Sequence, residues 1–177
     1  LGGSGLHQGK APVAIISVDG SPKGAHQFLM GDGDDKGALA SFIKYAKGYD
    51  PDIIVGYGVN QGIWQALISR AQRHGLKLTV DRAFSEPHTS LSGHISITGR
   101  VGLELLDMAK EMPSLDVERL DNFARYLGLE VKEELMDLEE TDLSDLWASG
   151  EKKQVMRYSA HNAKIIAEAA DSLLAFL

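Results

Sequence analysis

Hydrophobic positions along the chain switch between strand-like and helical spacing. "APVAIISVDG" is a short β-branched run closed by Asp-Gly, "AHQFLMGDG" is a second extended run, and "DGSPKG" between them has turn chemistry, so the opening segment predicts a β-hairpin. In "GDGDDKGALASFIKYAKGYD" the period changes: Leu39, Phe42, Ile43 and Ala46 recur at helical spacing behind an Asp-rich start. Unpaired N–H groups at a helix N-terminus favour such negative charge. "PDIIVGYG" is nearly continuous in apolar residues, the pattern of a strand buried on both faces. "IWQALISRAQRHG" then sets Ile63, Trp64, Leu67, Ile68 and Ala71 on one stripe, with Gly75 as a stop.

From Phe84 to Arg100 the alternating "HISIT" predicts an extended hairpin. "LELLDMAKEM" reads as a strand or a short helix. "SLDVERLDNFARYLGL" predicts a helix with Ser114 as N-cap, apolar Val117, Leu120, Phe123, Ala124 and Leu127, and a Gly128 stop. "VKEELMDLEETDLSDLWASG" is acidic and partly helical, and the segment from Glu151 to the end of the chain carries the clearest helical period. Strands first and helices later, joined by one αβα passage, predict a mixed α/β sheet domain.

Composition bounds the function. At 177 residues, 44% hydrophobic and 24% charged, the chain suits one globular domain, residues 1–177, with the Gly-rich residues 1–10 as a loop or cloning remnant. Without cysteine it has neither disulfides nor a thiolate nucleophile, which fits an intracellular setting. No apolar run approaches the roughly 20 residues of a membrane helix, so no membrane partner is expected. A net charge of −7 argues against whole-surface attraction to nucleic acid but leaves room for a local basic groove.

Candidate chemistry is sparse. Asp32 and Asp34 stand two apart, yet Lys36 and Ile43 occupy positions where a calcium loop needs ligands, so the acid-rich segment reads as helix capping. His74, His88 and His94 show no metal-ligand spacing, and neither a P-loop nor a nucleophile elbow is present. Arg70, Arg73, His74 and Lys77 make a basic helix end that complements the helix dipole, with phosphate contact as the sharper alternative. His161 reads as a solvent-facing helical residue. The corner between "DIIVGYG" and the next helix offers only Gly58, Asn60, Gln61, Gly62, Ile63 and Trp64, none of them acidic or nucleophilic.

"DPDIIVGYGVNQGIWQALISRAQRHGLKL" resembles the 3′–5′ exonuclease domain of family B DNA polymerases. "TGRVGLELLDMAKEMPSLDVERLDNFARYLGLEVKEEL", "VMRYSAHNAKIIAEAADSLL" and "GKAPVAIISVDGSPKGAHQFLM" extend the likeness over nearly the whole chain in the expected order. The resemblance implies an RNase H-like mixed twisted sheet flanked by helices. It also implies two-metal phosphodiester hydrolysis at Asp and Glu ligands. Carried over by position, the family pattern puts Asn at Gly58, an aromatic at Gly62, Asp at Ile63, and a Tyr-x-x-x-Asp motif at Tyr158 and Asn162. Its first acidic motif and the central strand bearing it would precede the sequence, which is expected to be part of a longer chain.

These departures imply an inactivated exonuclease-like domain, with no resident cofactor, retained in a DNA polymerase for replication or repair. Its expected partners are DNA and the polymerase palm and N-terminal domains of the same chain, in the cytoplasm or nucleoid. Asn60, Arg70, Arg73 and Arg100 are the DNA-contact candidates. One alternative is an active exonuclease in which Glu104 and Asp107 help rebuild a Mg or Mn site; another is an RNase H-like domain of unrelated role.

Overall fold

The computed structural model describes residues 11–20, 24–91, 93–112, 116, 119–132, 135 and 140–175. Ser114, Val117, the first ten residues and the centre of the "DGSPKG" turn lie outside them.

Six short strands form three two-stranded sheets among the described residues. β1 (Ile15–Val18) pairs with β2 (His26–Leu29), and β3 (Ile53–Gly56) pairs with β6 (Val101–Glu104). β4 (His88–Thr89) runs antiparallel to β5 (Ile95–Ser96), His88 opposite Ser96 and Thr89 opposite Ile95. The helices are α1 (Lys36–Tyr49), α2 (Ile63–Arg73), α3 (Leu105–Lys110), α4 (Leu120–Tyr126), α5 (Glu140–Ala148) and α6 (Lys152–Leu174). The ambiguous "LELLDMAKEM" is both things in turn, the end of β6 and then α3. No helix among the described residues is long and apolar enough to cross a membrane.

β3 corrects an expectation. Its residues are not buried on both faces: Ile53 is exposed, Ile54 and Val55 are half-buried, and only Gly56 is buried. Among the described residues β3 has β6 as its one paired neighbour, and burial on both faces requires a packed layer on each side of the sheet, which Ile53 does not have.

The described residues divide into two compact units. The first draws on Leu1–Ile16, Phe28–Ile54 and Gly58–Glu104. Within it, α1 buries Ala38, Leu39, Phe42 and Ala46, and Phe28 meets the Phe42 and Tyr45 rings at centroid distances of 5.8 and 5.5 Å. α2 buries Trp64, Leu67 and Ala71, so the predicted stripe holds at its centre. Each large apolar side chain so buried contributes about 1.5–3 kcal/mol. α2 ends as expected at Gly75: Leu76 N–H returns to Ala71 O at 2.9 Å and Gly75 N–H to Gln72 O at 3.0 Å, satisfying carbonyls the helix leaves open.

The second unit draws on Ser17–Gln27, Val55–Tyr57 and Leu105–Leu177. Ala124, Leu135 and Ile165 form its buried cluster, with Leu120, Leu129, Val131 and Tyr158 packed around them. The Tyr57 ring lies 5.5 Å from that of Phe123, which is fully buried. Polar bonds add direction to this packing. Ser17 Oγ and Ser159 Oγ share a hydrogen bond of 2.7 Å, and Gln27 Nε2 donates to Ser17 Oγ at 3.0 Å and to Met156 O at 2.8 Å. α4 ends at Gly128 as predicted, where Leu129 N–H reaches Ala124 O at 2.9 Å.

Candidate functional site

The corner after β3 is built from backbone. Gly58 lies in the left-handed region (φ 70°, ψ 14°), Val59–Gln61 form one 3-10 turn, and Gly62 leads into α2. Glycine enters the left-handed region at no steric cost, so Gly58 forms this turn without strain. The turn aims two amides at one point. Glu104, at the end of β6, accepts both: Gly58 N–H on Oε1 at 2.6 Å and Asn60 N–H on Oε2 at 2.9 Å. Asn60 fastens the other side, its Oδ1 accepting Ile95 N–H at 3.2 Å and its Nδ2 lying 3.4 Å from His94 Nδ1. A corner without an acid in its own sequence thus receives a buried carboxylate from a strand distant in the chain.

The residues carried over from the family pattern offer little to a metal. Ile63 is the half-buried first residue of α2, with only hydrocarbon to present. Tyr158 packs against the Ala124–Leu135–Ile165 cluster. Asn162, on α6, has a buried Oδ1 with no hydrogen-bond partner, and its side chain offers a neutral carbonyl rather than a charged oxygen. Glu104 already has both oxygens on amides, and Asp107 lies 3.3 Å from Lys110 Nζ.

The DNA-contact candidates separate sharply. Arg70 is not a surface residue but is buried beside Asp35, with Nε to Oδ2 at 2.9 Å and Nη2 to Oδ1 at 2.8 Å. Arg100 is sealed too, its side chain 1% exposed, donating to Val80 O at 2.8 Å, to Asp50 Oδ1 at 2.9 Å and to Pro51 O. Asn60 spends its amide inside the corner. Arg73 alone of the four is exposed.

The acid-rich start of α1 also departs from simple capping. Asp34 does cap, accepting Lys36 N–H at 2.9 Å, whereas Asp35 is fully buried. Its carboxylate accepts Val13 N–H at 2.8 Å and the Arg70 fork, and lies 2.6 Å from His74 Nε2. Burial pushes the Asp35 carboxyl up, but the bonds from Arg70, Val13 and His74 outweigh it and hold the group well below the usual carboxylate range. Asp34, Asp35 and His74 bring ligand atoms within 4.8 Å of one another. With a guanidinium bound to both Asp35 oxygens, however, the group is an ion-pair node rather than a cation site.

Two further partnerships were illegible in the sequence. Asp50 ends α1 in a left-handed conformation (φ 51°) and receives Arg82 and Arg100 at 2.9 Å each, which hold its carboxyl below the ordinary range. His161 is buried, not solvent-facing: its Nε2 accepts Lys132 N–H at 3.1 Å, which requires the neutral ring.

A mixed α/β domain with this strand and helix order has a counterpart inside family B DNA polymerases. The chain superposes on the structure of the family B DNA polymerase from the hyperthermophilic archaeon Pyrobaculum calidifontis with a TM-score of 0.87 and 31% identity, covering 93% of this chain and 22% of that one. It is 35% identical over 148 residues to DNA polymerase 2 of Aeropyrum pernix and 34% identical over 154 residues to the DNA polymerase of Archaeoglobus fulgidus, covering 84% and 87% of this chain. It spans only 18% and 19% of those two relatives. No family model matches the chain. Over most of its length, then, it is similar to one segment of archaeal DNA polymerases.

Proposed function

We propose that this chain is the 3′–5′ exonuclease-like domain of a family B DNA polymerase, RNase H-like in fold, and that its nuclease chemistry has been lost. It is retained as a scaffold or DNA-contacting module in replication or repair, beside the palm and N-terminal domains of the same chain. Three two-stranded sheets, each marginal alone, support the further reading that another strand completes a single sheet.

The observation that carries the proposal is the chemistry left at the carried-over positions. Ile63 supplies no donor, Asn162 supplies an uncharged one, and the carboxylate of Glu104 is engaged by the Gly58 and Asn60 amides. Two-metal hydrolysis needs carboxylates free to bind the ions, so the domain binds neither Mg nor Mn as a working pair.

The test is a digestion assay on 5′-labelled single-stranded DNA with magnesium or manganese, using the full-length protein that contains this sequence. No metal-dependent shortening is expected. Robust shortening that disappears with Glu104→Gln would restore the active-exonuclease reading.

A further inference from the structure

We propose that Asp19 is a site of spontaneous isoaspartate formation, a backbone modification directed by the fold to one of two Asp-Gly pairs. The sequence holds Asp19–Gly20 and Asp32–Gly33, and in each the following glycine leaves the peptide nitrogen without side-chain hindrance. The two pairs differ in structure. Beyond the end of β1, Gly20 N lies 2.7 Å from Oδ1 of the adjacent Asp19, in an exposed position. That contact sets the nucleophile beside the side-chain carbonyl carbon and gives its proton a path to the leaving oxygen.

Asp32–Gly33 sits instead inside a turn closed from both sides, with Asp34 N–H to Gly31 O at 2.7 Å and Gly31 N–H to Asp34 O at 3.1 Å. Asp32 itself is held at φ 40°. Ring closure there must first break this turn.

The reaction balances without a co-reactant. The Gly20 nitrogen forms a bond to Asp19 Cγ and gives up its proton, a Cγ–O bond breaks, and one water leaves to give a succinimide. Water then opens the ring at either carbonyl. Opening at the original backbone carbonyl leaves the chain running through the side-chain carbon, one methylene longer at the end of β1. Ser17 lies two residues away, bonded to Ser159 and Gln27, so the lesion bears on the anchoring of β1 within the second unit.

The test is ageing of the folded chain at neutral pH and 37 °C, followed by digestion with an Asp-specific protease, which does not cut at isoaspartate, and by mass spectrometry with electron-transfer fragmentation. Isoaspartate is expected to accumulate several-fold faster at Asp19 than at Asp32, and the two rates should converge in concentrated urea. Asp19→Glu, which cannot close a five-membered ring, should abolish the product at that position while leaving the circular dichroism of the chain unchanged. Equal rates in the folded chain, or faster conversion at Asp32, would overturn the proposal.

Discussion

Glu104 accepts the backbone N–H of Gly58 at 2.6 Å, so the last residue of β6 closes the turn that begins α2. With the second bond from Asn60, the carboxylate satisfies two converging amides whose partial positive charges attract an anion. Hydrogen bonds to a charged acceptor contribute about 1.5–3 kcal/mol. Glu104→Gln should therefore lower stability by roughly 2 kcal/mol, because the new side-chain NH₂ must point at one of the donors. Urea unfolding measures this, and an unchanged midpoint would refute the bond's importance. A second reading comes from the same melts: manganese should not raise the wild-type midpoint, since a ligand that binds only the native state would.

Asp35 and Arg70 lead to a prediction about pH. The folded carboxyl is held below its unfolded value of about 3.9, so the pair stabilises fully above that value. Stability is lost as pH falls below about 4 toward the depressed folded value, where the folded state must take up a proton. Asp35→Asn removes the charge while keeping an acceptor for Val13 N–H, and strands the buried guanidinium. The expected loss is about 3 kcal/mol at neutral pH. The variant should also show a flatter stability profile between neutral and acid pH than the wild type, measured by thermal melts across that range.

The four DNA-contact candidates should behave differently on substitution. Arg73→Ala, at an exposed site near the end of α2, should leave stability within about 0.5 kcal/mol. If it meets a phosphate, the same substitution should lower the salt slope of single-stranded DNA binding by about 0.7. Arg70→Ala and Arg100→Ala should destabilise the fold instead, the latter by stripping Asp50 of one of its two arginines. Chemical denaturation alongside fluorescence anisotropy with a labelled oligonucleotide distinguishes the outcomes. Weaker binding by a fully stable Arg100→Ala variant would contradict the buried role.

What the sequence made legible was local. Helical periods located α1, α2 and α6, Gly75 and Gly128 marked true helix ends, and the alternation in "HISIT" marked β5. What stayed hidden depended on partners far apart in the chain. Arg70 stands on the buried face of α2 because Asp35, thirty-five positions earlier, neutralises it. No local pattern distinguishes such an arginine from the exposed Arg73. Asp35 looked like one more capping acid beside Asp34, and His161 looked solvent-facing because the bond to Lys132 N–H joins separate segments. The corner was misleading for the same reason: its acid comes from β6.

Ile63 and Asn162 allow the lost-ligand reading to be probed one position at a time. Ile63 opens α2, where the free amides favour a carboxylate by about 0.3–1 kcal/mol, so Ile63→Asp should recover part of the burial it gives up and fold. Asn162→Asp is the harsher change. Asn162 Oδ1 is already buried without a donor, and a charge placed there without a hydrogen bond costs several kcal/mol or forces the carboxyl to stay protonated. The expected signature is a melting temperature that falls more for Asn162→Asp than for Ile63→Asp and rises again as the pH is lowered, since the neutral acid is what the site tolerates. Manganese is decisive here. If adding it restored the stability of Asn162→Asp at neutral pH, the surroundings of Asn162 would still hold enough oxygen ligands to bind an ion, and the domain would be one substitution from a metal site rather than structurally committed to its loss.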